Sequence, residues 1–342
     1  MIFFINLSKR KEKCMAGIQE ITAEALTQEN IMQGFISDQI KAIQEAVGDD
    51  GLAINALSGG VDSSVVTFLA HRAIGDRLKT FFVDTGLMRE NEPEDVVEIF
   101  RRAGIPVKII DAKDVFLGAL KGLTDPEEKR DKGVTEPFYR VVFKKLIEES
   151  GAKVLFHGTI LTDVDETEAG IKRQHNIFAQ IGIDPETEFG YKILEPLVQL
   201  RKDGVRLVGR ALDMPDEMVN RQPFPGPGLA ARIIGEVTEE RLGIIRPATA
   251  ITEGLVNQFK PFQSMTILHE DRVTGIVNGK RAFGLQIEVR VWNSTDAREA
   301  TVARLPWEVL DELGERIPAE VPGVVGVTYN LTNKPPLTME AL

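Results

Sequence analysis

The stretch Ser58–Ser64, which reads SGGVDSS, combines the residue types that hold phosphate groups. Its two glycines let the backbone turn tightly and approach a ligand without a Cβ in the way. A helix that begins here would direct unpaired N–H groups and the positive end of its dipole at the loop, and three serine hydroxyls add further donors. Together these groups predict an anion pocket sized for phosphates.

Asp62 places a carboxylate inside this predicted anion pocket, where it would repel a phosphate. A Mg²⁺ ion that bridges the carboxylate and phosphate oxygens resolves the conflict, so we predict Mg²⁺ beside the bound phosphates. The alternative is a serine- and glycine-rich helix cap with no ligand. The Walker pattern G-x-x-x-x-G-K-[ST] is absent from the sequence. Gly226–Ala231 only approaches a dinucleotide fingerprint, because prolines flank it and no predicted strand precedes it.

Apolar periodicity around the loop predicts an alternation of helices and strands. The expected helices cover residues 29–47, 61–74, 92–102 and 138–149, and the expected strands cover 52–57, 80–84, 107–111 and 153–157. This alternation predicts a doubly wound parallel sheet, and the continuous apolar runs predict that the strands are covered on both faces. Since ligands bind at the carboxyl ends of such strands, we expect the site at the loops after Leu57, Asp84 and His157.

The composition changes near residue 222, where Pro223–Gly228 contains three prolines and two glycines. Such a stretch cannot continue a helix or a central strand and predicts a shaped turn or linker. Beyond it, alternating apolar residues over 285–291 predict a half-exposed strand, with a helix over 306–316 and a strand over 326–331. The predicted organisation is a flexible arm over 1–28, an α/β domain over 29–222 and a smaller α+β domain over 223–342.

The composition excludes several classes of protein. The 342 residues include 41 Lys and Arg against 52 Asp and Glu, and the net charge of −11 disfavours nucleic-acid binders and proteins that dock on anionic membranes. Cys14 is the single cysteine, which excludes an intrachain disulfide framework or cysteine-rich zinc module and predicts a cytoplasmic protein. No apolar run approaches the ~20 residues of a membrane-spanning helix. The apolar Met1–Ile5 precedes its basic residues, unlike a signal peptide, and Met15 is an alternative start.

The loop Ser58–Ser64 resembles the pyrophosphate loop of the N-type ATP pyrophosphatases, and further segments are similar to the GMP synthases among them. The similar segments are 82–89 (FVDTGLMR), 122–130 (GLTDPEEKR), 158–160 (GTI), 171–172 (IK), 195–197 (EPL), 221–237 (RQPFPGPGLAARIIGEV) and 332–340 (TNKPPLTME). The resemblance runs from about residue 30 to the end of the sequence. It implies an adenine nucleotide α-hydrolase-like sheet, which is the ATP pyrophosphatase domain, followed by the domain through which this family dimerises.

The resemblance implies ATP-dependent amidation of xanthosine monophosphate (XMP). ATP adenylates the 2-oxygen of XMP with release of pyrophosphate, and ammonia then displaces AMP to give GMP. ATP and Mg²⁺ are the expected cofactors, and a homodimer is the expected assembly. A glutaminase domain of this family needs a catalytic cysteine, whereas Cys14 lies in the predicted arm. The nitrogen is therefore expected from a separate glutaminase subunit or from free ammonia.

The resemblance also assigns roles to individual residues. The residues expected to hold the pyrophosphate and Mg²⁺ are Ser58, Gly59, Gly60, Asp62, Ser63 and Ser64, with Asp62 as the metal ligand and a catalytic residue. The residues expected to border the nucleotide are Val83, Gly86 and Gly158, and those expected to act from a lid are Asp163, Glu166 and Lys172. The residues expected to contact XMP are Arg130, Lys334 and Glu340. A lysine on a moving loop offsets charge on the phosphates once the substrate is bound.

The lid and XMP assignments each have a structural alternative. Asp163 and Glu166 lie among further acidic residues, as in a solvated acidic turn. Lys172 beside Arg173 is typical of surface charge. Arg130 also fits an ion pair on a helix face, which contributes little to stability.

The sequence departs from the family pattern near the lid and the expected XMP site. Where the family has an arginine on the substrate phosphate, eight residues before Lys334, this sequence has Gly326. The lid at Leu161–Thr162 and the tail at Met339–Leu342 differ as well. Because an arginine fork binds phosphate strongly, these differences leave open a paralogue that adenylates another acceptor. A non-catalytic nucleotide-binding protein is the other alternative, and release of pyrophosphate from ATP distinguishes it from both enzymes.

Overall fold

The computed structural model describes residues 18–168, 191–295, 297 and 299–341. The described residues form two compact units. The first contains the stretches up to Thr80 and from Ser150 to Asn220, and the second contains Phe81–Glu149 and the stretch from Arg221 onward. The sequence divides the chain by composition, whereas these units are defined by contacts within the fold. The expected arm and two domains therefore stay predictions. No described helix is long and apolar enough to cross a membrane.

Helices and strands alternate through the first part of the chain. The longer helices are α1 (Glu29–Val47), α2 (Val61–Ile74), α3 (Glu92–Arg102), α4 (Lys113–Leu120), α5 (Lys144–Ser150), α6 (Leu161–Glu168), α7 (Lys202–Ala211), α8 (Glu239–Val256) and α9 (Trp307–Glu320). The strands are β1 (Ala53–Leu57), β2 (Leu78–Asp84), β3 (Val107–Asp111), β4 (Val154–Phe156), β5 (Lys192–Leu194), β6 (Gln263–Val277), β7 (Lys280–Asn293), β8 (Thr301–Val302) and β9 (Val324–Tyr329). Shorter helical turns cover Ala23–Leu26, Gly75–Arg77, Pro126–Glu128, Asp216–Val219, Gly228–Arg232 and Asn257–Phe259.

A five-stranded sheet with the order β3-β2-β1-β4-β5 confirms the predicted doubly wound α/β architecture. β4 pairs in parallel with β1 on one side and with β5 on the other, so that Val154 lies between Ala53 and Lys192. The expectation that every strand is covered on both faces is wrong for β3. It is an edge strand, and its Lys108 and Ile109 are exposed.

Helix α2 packs on β1 through apolar side chains and thereby holds the loop that precedes it. Val65, Val66 and Leu69 are fully buried, and each such burial contributes about 2 kcal/mol of hydrophobic free energy. The helix covers Val61–Ile74, the range predicted from the apolar spacing. The loop between β1 and α2 is therefore fixed at both ends by buried elements.

The second unit contains a hairpin of two long antiparallel strands, β6 and β7, to which β9 adds in parallel. Ile287, Val289 and Val291 on β7 are fully buried, so the predicted apolar face is confirmed. The opposite face of this stretch is not exposed as expected, because Arg290 is buried and Gln286 and Glu288 are half-buried. Helix α8 packs against β6, and α9 packs against β9. These two helices and the buried face of the hairpin form the smaller mixed-sheet part of the fold.

The single helix predicted over 138–149 is instead two segments, a π-helical stretch at Phe138–Phe143 followed by α5. The rings of Phe138 and Phe143 stack with their centroids 5.8 Å apart. Side chains five residues apart are brought together by the wider i→i+5 turn of a π-helix. The stacked aromatic pair thus accounts for the local departure from the α-helical period.

Glu288 on β7 lies between two hydrogen-bond partners, His269 and Arg290. His269 Nε2 is 2.9 Å from one carboxylate oxygen, and Arg290 Nε donates to the other at 2.6 Å. Burial raises the pKa of Glu288, but the hydrogen bonds from His269 and Arg290 outweigh it and hold the pKa at about 2. Because the folded pKa lies below the ordinary value of 4.5, the charged carboxylate stabilises the fold above that pH. This stabilisation is lost as the pH falls through the folded pKa.

We expect Glu288→Gln to lower the free energy of unfolding by about 2 kcal/mol at neutral pH, since a charged hydrogen-bond acceptor is lost. The difference from the unmodified protein should shrink as the pH falls from about 5 to about 3, because the Glu288 carboxylate of the unfolded chain takes up a proton there while that of the folded protein stays charged. Urea denaturation followed by circular dichroism measures both quantities. Glu312→Gln is the control, because Glu312 forms an exposed ion pair with Arg316 at 3.4 Å. A Glu288→Gln difference that stays constant over this pH range would contradict the assignment.

Candidate functional site

The loop after β1 adopts the tight turn that its glycines allow. Gly59 has a positive φ of 74°, which favours glycine. Gly60 is extended and forms the N-cap of α2, with no side-chain cap on the first helical turn. The N–H groups at this helix start therefore face the loop without a side-chain acceptor from the cap residue, as an anion site requires.

The serine hydroxyls of the loop converge on one another and on the carbonyl of Gly60. Ser63 Oγ donates to Gly60 O at 3.1 Å, and Ser64 Oγ donates to the same oxygen at 2.8 Å. Ser58 Oγ lies 3.1 Å from Ser63 Oγ. The structure thus brings together the Ser58, Gly60, Ser63 and Ser64 positions that the sequence assigned to one pocket.

Asn55 ties the buried strand to the helix beneath the loop, and sequence analysis missed it. Its side-chain amide donates to Ser63 O at 3.2 Å and to Thr67 Oγ1 at 2.6 Å. Asn55 is only 1% exposed, so losing these bonds would leave a buried polar group unsatisfied. The sequence feature that could have identified Asn55 is its amide side chain, the one polar side chain in the apolar run LAINAL.

Gly158, after β4, lies directly against the phosphate-type loop. A Cβ built at this position would lie 2.9 Å from Ser63 N and 3.3 Å from Asp62 Cβ. These distances are shorter than an ordinary van der Waals contact, so only glycine lets the two backbones approach this closely. Next to it, Thr159 Oγ1 donates to Glu195 at 2.6 Å, which fixes the end of β4.

Asp62 lies at the start of α2 and contacts a cation that sequence analysis did not identify. Its Oδ2 accepts a hydrogen bond from Lys202 Nζ at 2.6 Å. Its Oδ1 is buried and has no hydrogen-bond partner among the described residues. A free carboxylate oxygen is a donor that suits Mg²⁺. The described residues contain no cluster of three His, Cys, Asp or Glu side chains poised for a metal, so a cation here would need phosphate or water oxygens as further ligands.

The residues predicted for the lid are only partly described. Asp163 lies in the first turn of α6, where its Oδ2 accepts the backbone N–H of Ile160 at 3.0 Å. Asp165 on the same helix is 2.8 Å from Arg201. The backbone of Glu166 belongs to α6, whereas its side chain and the whole of Lys172 lie outside the described residues.

In the second unit, Val83 and Gly86 lie at the carboxyl end of β2 beside a polar cavity. Asp84 Oδ1 accepts the N–H of Gly86 at 2.9 Å, and Asp84 Oδ2 is 3.0 Å from Lys113 Nζ. Arg246 donates to the carbonyl of Gly86, which fixes the turn from its other side. Asp84, Gly86, Lys113 and Arg246 line a cavity of about 450 Å³.

The residues predicted to contact XMP have separate neighbours in the second unit. Arg130 Nε donates to Asp131 at 2.9 Å, and Lys334 Nζ donates to the carbonyl of Ala297 at 2.6 Å. Glu340 accepts hydrogen bonds from Arg232 at 3.3 Å and 3.4 Å and from Gln263 at 2.7 Å. No described contact joins Arg130, Lys334 and Glu340 directly.

Arg232 is a further residue that sequence analysis missed. It is 1% exposed, and its guanidinium lies 4.9 Å from the centre of the Phe224 ring, which also contacts Arg89 at 4.3 Å. A buried guanidinium needs a counter-charge, and Glu340 supplies it. Arg232 therefore anchors the C-terminal tail to the turn that follows Pro223.

Comparison with known proteins adds two family matches. Residues 252–341 match the family described as GMP synthase C terminal domain, and residues 41–175 match the family described as asparagine synthase. The B subunit of a glutamine-hydrolyzing GMP synthase from Pyrococcus furiosus is 45% identical over 91% of this chain and 97% of its own. The protein of the same name from Methanocella arvoryzae is 48% identical over 90% of this chain and 97% of its own.

We expect Gly158→Ala to weaken ATP binding about tenfold, because the added methyl displaces the backbone of Asp62 and Ser63 from the geometry that binds phosphate. Isothermal titration calorimetry with Mg-ATP measures the change. Gly34→Ala is the matched control, since a Cβ at Gly34 meets nothing within 4 Å. It should leave the affinity unchanged and raise stability by about 0.5–1 kcal/mol, as alanine favours the helix. Equal affinities for both variants would show that Gly158 does not shape the loop.

Proposed function

Because the chain belongs to the family of GMP synthase B subunits, we propose that it uses ATP to activate XMP and that ammonia then converts the activated XMP to GMP. The chain is a ligase of the C–N bond-forming kind and an ATP-using synthetase. One observation supports this function most directly. The SGGVDSS loop lies at the start of a buried helix, with a carboxylate oxygen of Asp62 left unpaired inside it.

The reaction divides into two displacements at two centres. The 2-oxygen of XMP attacks the α-phosphorus of ATP, and the bond to the β-phosphate oxygen breaks to release pyrophosphate. Ammonia then attacks carbon 2 of the purine, the bond to the adenylated oxygen breaks, and AMP leaves with GMP as the other product. Negative charge develops on pyrophosphate in the first step, so the protein must place positive charge and N–H donors there.

The loop supplies these groups in the first unit. The N–H groups at the start of α2 and the hydroxyls of Ser58, Ser63 and Ser64 bind the pyrophosphate portion of ATP in this proposal. Asp62 would hold Mg²⁺ through its unpaired Oδ1. When bound, Mg²⁺ offsets charge on the phosphate oxygens. Gly59 and Gly158 keep the backbone close enough for these contacts.

The proposal gives the remaining residues the roles that the family resemblance assigns to them. Asp163, Glu166 and Lys172 act from the lid, and Val83 and Gly86 border the nucleotide. Arg130, Lys334 and Glu340 bind XMP, with the two cations suited to its phosphate. The hydrogen bonds from Arg232 and Gln263 hold the Glu340 carboxylate in one orientation.

We further propose that ammonia comes from a separate glutaminase subunit, with free ammonia as the alternative source. The relatives are named as B subunits of glutamine-hydrolyzing GMP synthases, which supports a division of the reaction between two chains. Cys14 is the single cysteine of this sequence, and it lies outside the described residues. The proposed location is the cytoplasm, where a reduced cysteine and nucleotide substrates are both expected.

A second candidate function is adenylation of a different acceptor by the same ATP chemistry. Gly326 on β9 favours it, because the family arginine for the substrate phosphate is missing there. Gly326 pairs with Gln286 in parallel register, and a Cβ at Gly326 would come no closer than 3.5 Å to that side chain. The fold would therefore tolerate a larger residue here, and the missing arginine is not imposed by packing.

The main proposal predicts GMP formation from XMP, Mg-ATP and ammonium, detected by mass spectrometry together with pyrophosphate release. Asp62→Asn should lower the rate about 100-fold or more, because the carboxylate proposed to hold Mg²⁺ beside the leaving pyrophosphate is lost. Asp213→Asn is the control, since Asp213 forms an exposed ion pair with Arg72 at 3.5 Å. Pyrophosphate release without GMP would favour the second candidate. If ATP releases no pyrophosphate, either with XMP or with another acceptor, both candidate functions are refuted.

We propose a homodimer that forms through the outer part of the β6–β7 hairpin. Ile276 is 80% exposed and Phe283 is 64% exposed. Since Thr274 pairs with Phe283, the two-residue period places Ile276 and Phe283 on the same face. Exposed apolar side chains that share a face mark an association surface.

The double change Ile276→Glu and Phe283→Glu should convert the dimer to a monomer, because it places charge in the apolar contact. Size-exclusion chromatography with light scattering reports the mass directly. Trp307→Glu is the matched control, since Trp307 is 76% exposed but lies on α9 outside the hairpin. A native monomer at micromolar concentration, or a dimer that survives the double change, would overturn this interface.

A further inference from the structure

Asp62 contacts a cation that belongs to the protein itself. Lys202, the first residue of α7, donates from Nζ to Asp62 Oδ2 at 2.6 Å. The side chains are 40% and 21% exposed, so the pair is more shielded than an ordinary surface ion pair. The contact joins residues 140 positions apart in the sequence. Lys202 therefore neutralises the negative charge of Asp62 inside the anion-binding loop without a metal ion.

A second cation, Arg206, follows Lys202 one turn later on α7. Residues four apart share a face of a helix, so both cations project from the same side. Burial lowers the pKa of the Arg206 guanidinium, and the charge of Asp62 opposes this effect. Arg206 Nε is buried without a hydrogen-bond partner among the described residues.

Helix α7 is anchored closely enough to deliver Lys202 to a fixed place. Val205 and Val208 are fully buried, and a Cβ at Gly209 would lie 3.2 Å from Val65 on α2. Arg201, immediately before Lys202, contacts Glu20 at 2.9 Å. The first turn of α7 is thus held at both ends, so the backbone of Lys202 has a fixed place relative to Asp62.

We propose that Lys202 is the resident counter-cation of Asp62, which lets the loop accept the phosphates of ATP before Mg²⁺ binds. An uncompensated carboxylate in the loop would repel every phosphate that enters it. Lys202 contacts Oδ2, whereas Oδ1 has no hydrogen-bond partner among the described residues, so Asp62 would have a second oxygen with which to hold Mg²⁺. Lys202 is a positioning residue that acts through Asp62. This inference rests on the proposed function, since it concerns the same ATP site.

The test is ATP binding in EDTA, measured by isothermal titration calorimetry on the full-length chain. Lys202→Met should weaken ATP about tenfold, because removing one partner leaves the other charge uncompensated. The double variant Lys202→Met with Asp62→Asn carries neither charge and should return to within about threefold of the unmodified protein, as expected when two residues act through one interaction. Lys202→Arg should retain most of the affinity, since it keeps the charge.

Arg72→Met is the matched control, because Arg72 lies at the other end of α2 and pairs with Asp213. It should not change ATP binding, and circular dichroism should show that each variant is folded. A double variant as weak as Lys202→Met would show that Lys202 contacts the nucleotide itself and would overturn the proposal. The proposal also fails if Lys202→Met binds normally, or if the unmodified protein binds ATP only with Mg²⁺ present. Failure to bind ATP even with Mg²⁺ would instead refute the proposed function.

Discussion

The fold must accommodate a carboxylate in a loop that is built to bind anions. Phosphate binding calls for N–H groups, hydroxyls and the positive end of a helix, and Asp62 adds a negative charge among them. The ion pair with Lys202 makes this arrangement tolerable in the first unit. It neutralises one oxygen and leaves the other available to a cation. The chemistry proposed for the chain depends on that division between the two oxygens.

The rigidity of the loop comes from contacts that two neighbouring strands make with it. Asn55 fixes the first turn of α2 from below, and the absence of a side chain at Gly158 lets the end of β4 press against Ser63. Each contact is short-ranged and intolerant of added volume. The hydroxyls are consequently held in place before a nucleotide arrives, which is how a binding site limits the entropy lost on binding.

Local patterns predicted the elements that lie around the loop. The apolar spacing of α1 and α2 gave their bounds to the residue, because a helix that packs on one face must repeat its apolar residues at the helical period. The same reasoning missed α7, whose Gly204 and Gly209 weaken the helical signal. Those glycines are explained by packing, since a Cβ at Gly209 would press on α2. The π-helical turn at Phe138–Phe143 was also missed, because apolar spacing does not show which two rings will stack.

The sequence by itself determined the fold class, the phosphate-type loop and the family to which its motifs belong, because these are properties of contiguous residues. Only the tertiary structure decided which cation meets Asp62 and which arginine holds Glu340. Lys202 and Asp62 are 140 residues apart, and Arg232 and Glu340 are 108 apart. Charged residues are frequent along the chain, and periodicity says nothing about which of them will meet. Such pairs form where packing of distant helices and strands brings two side chains together, so their identity is a consequence of the completed fold.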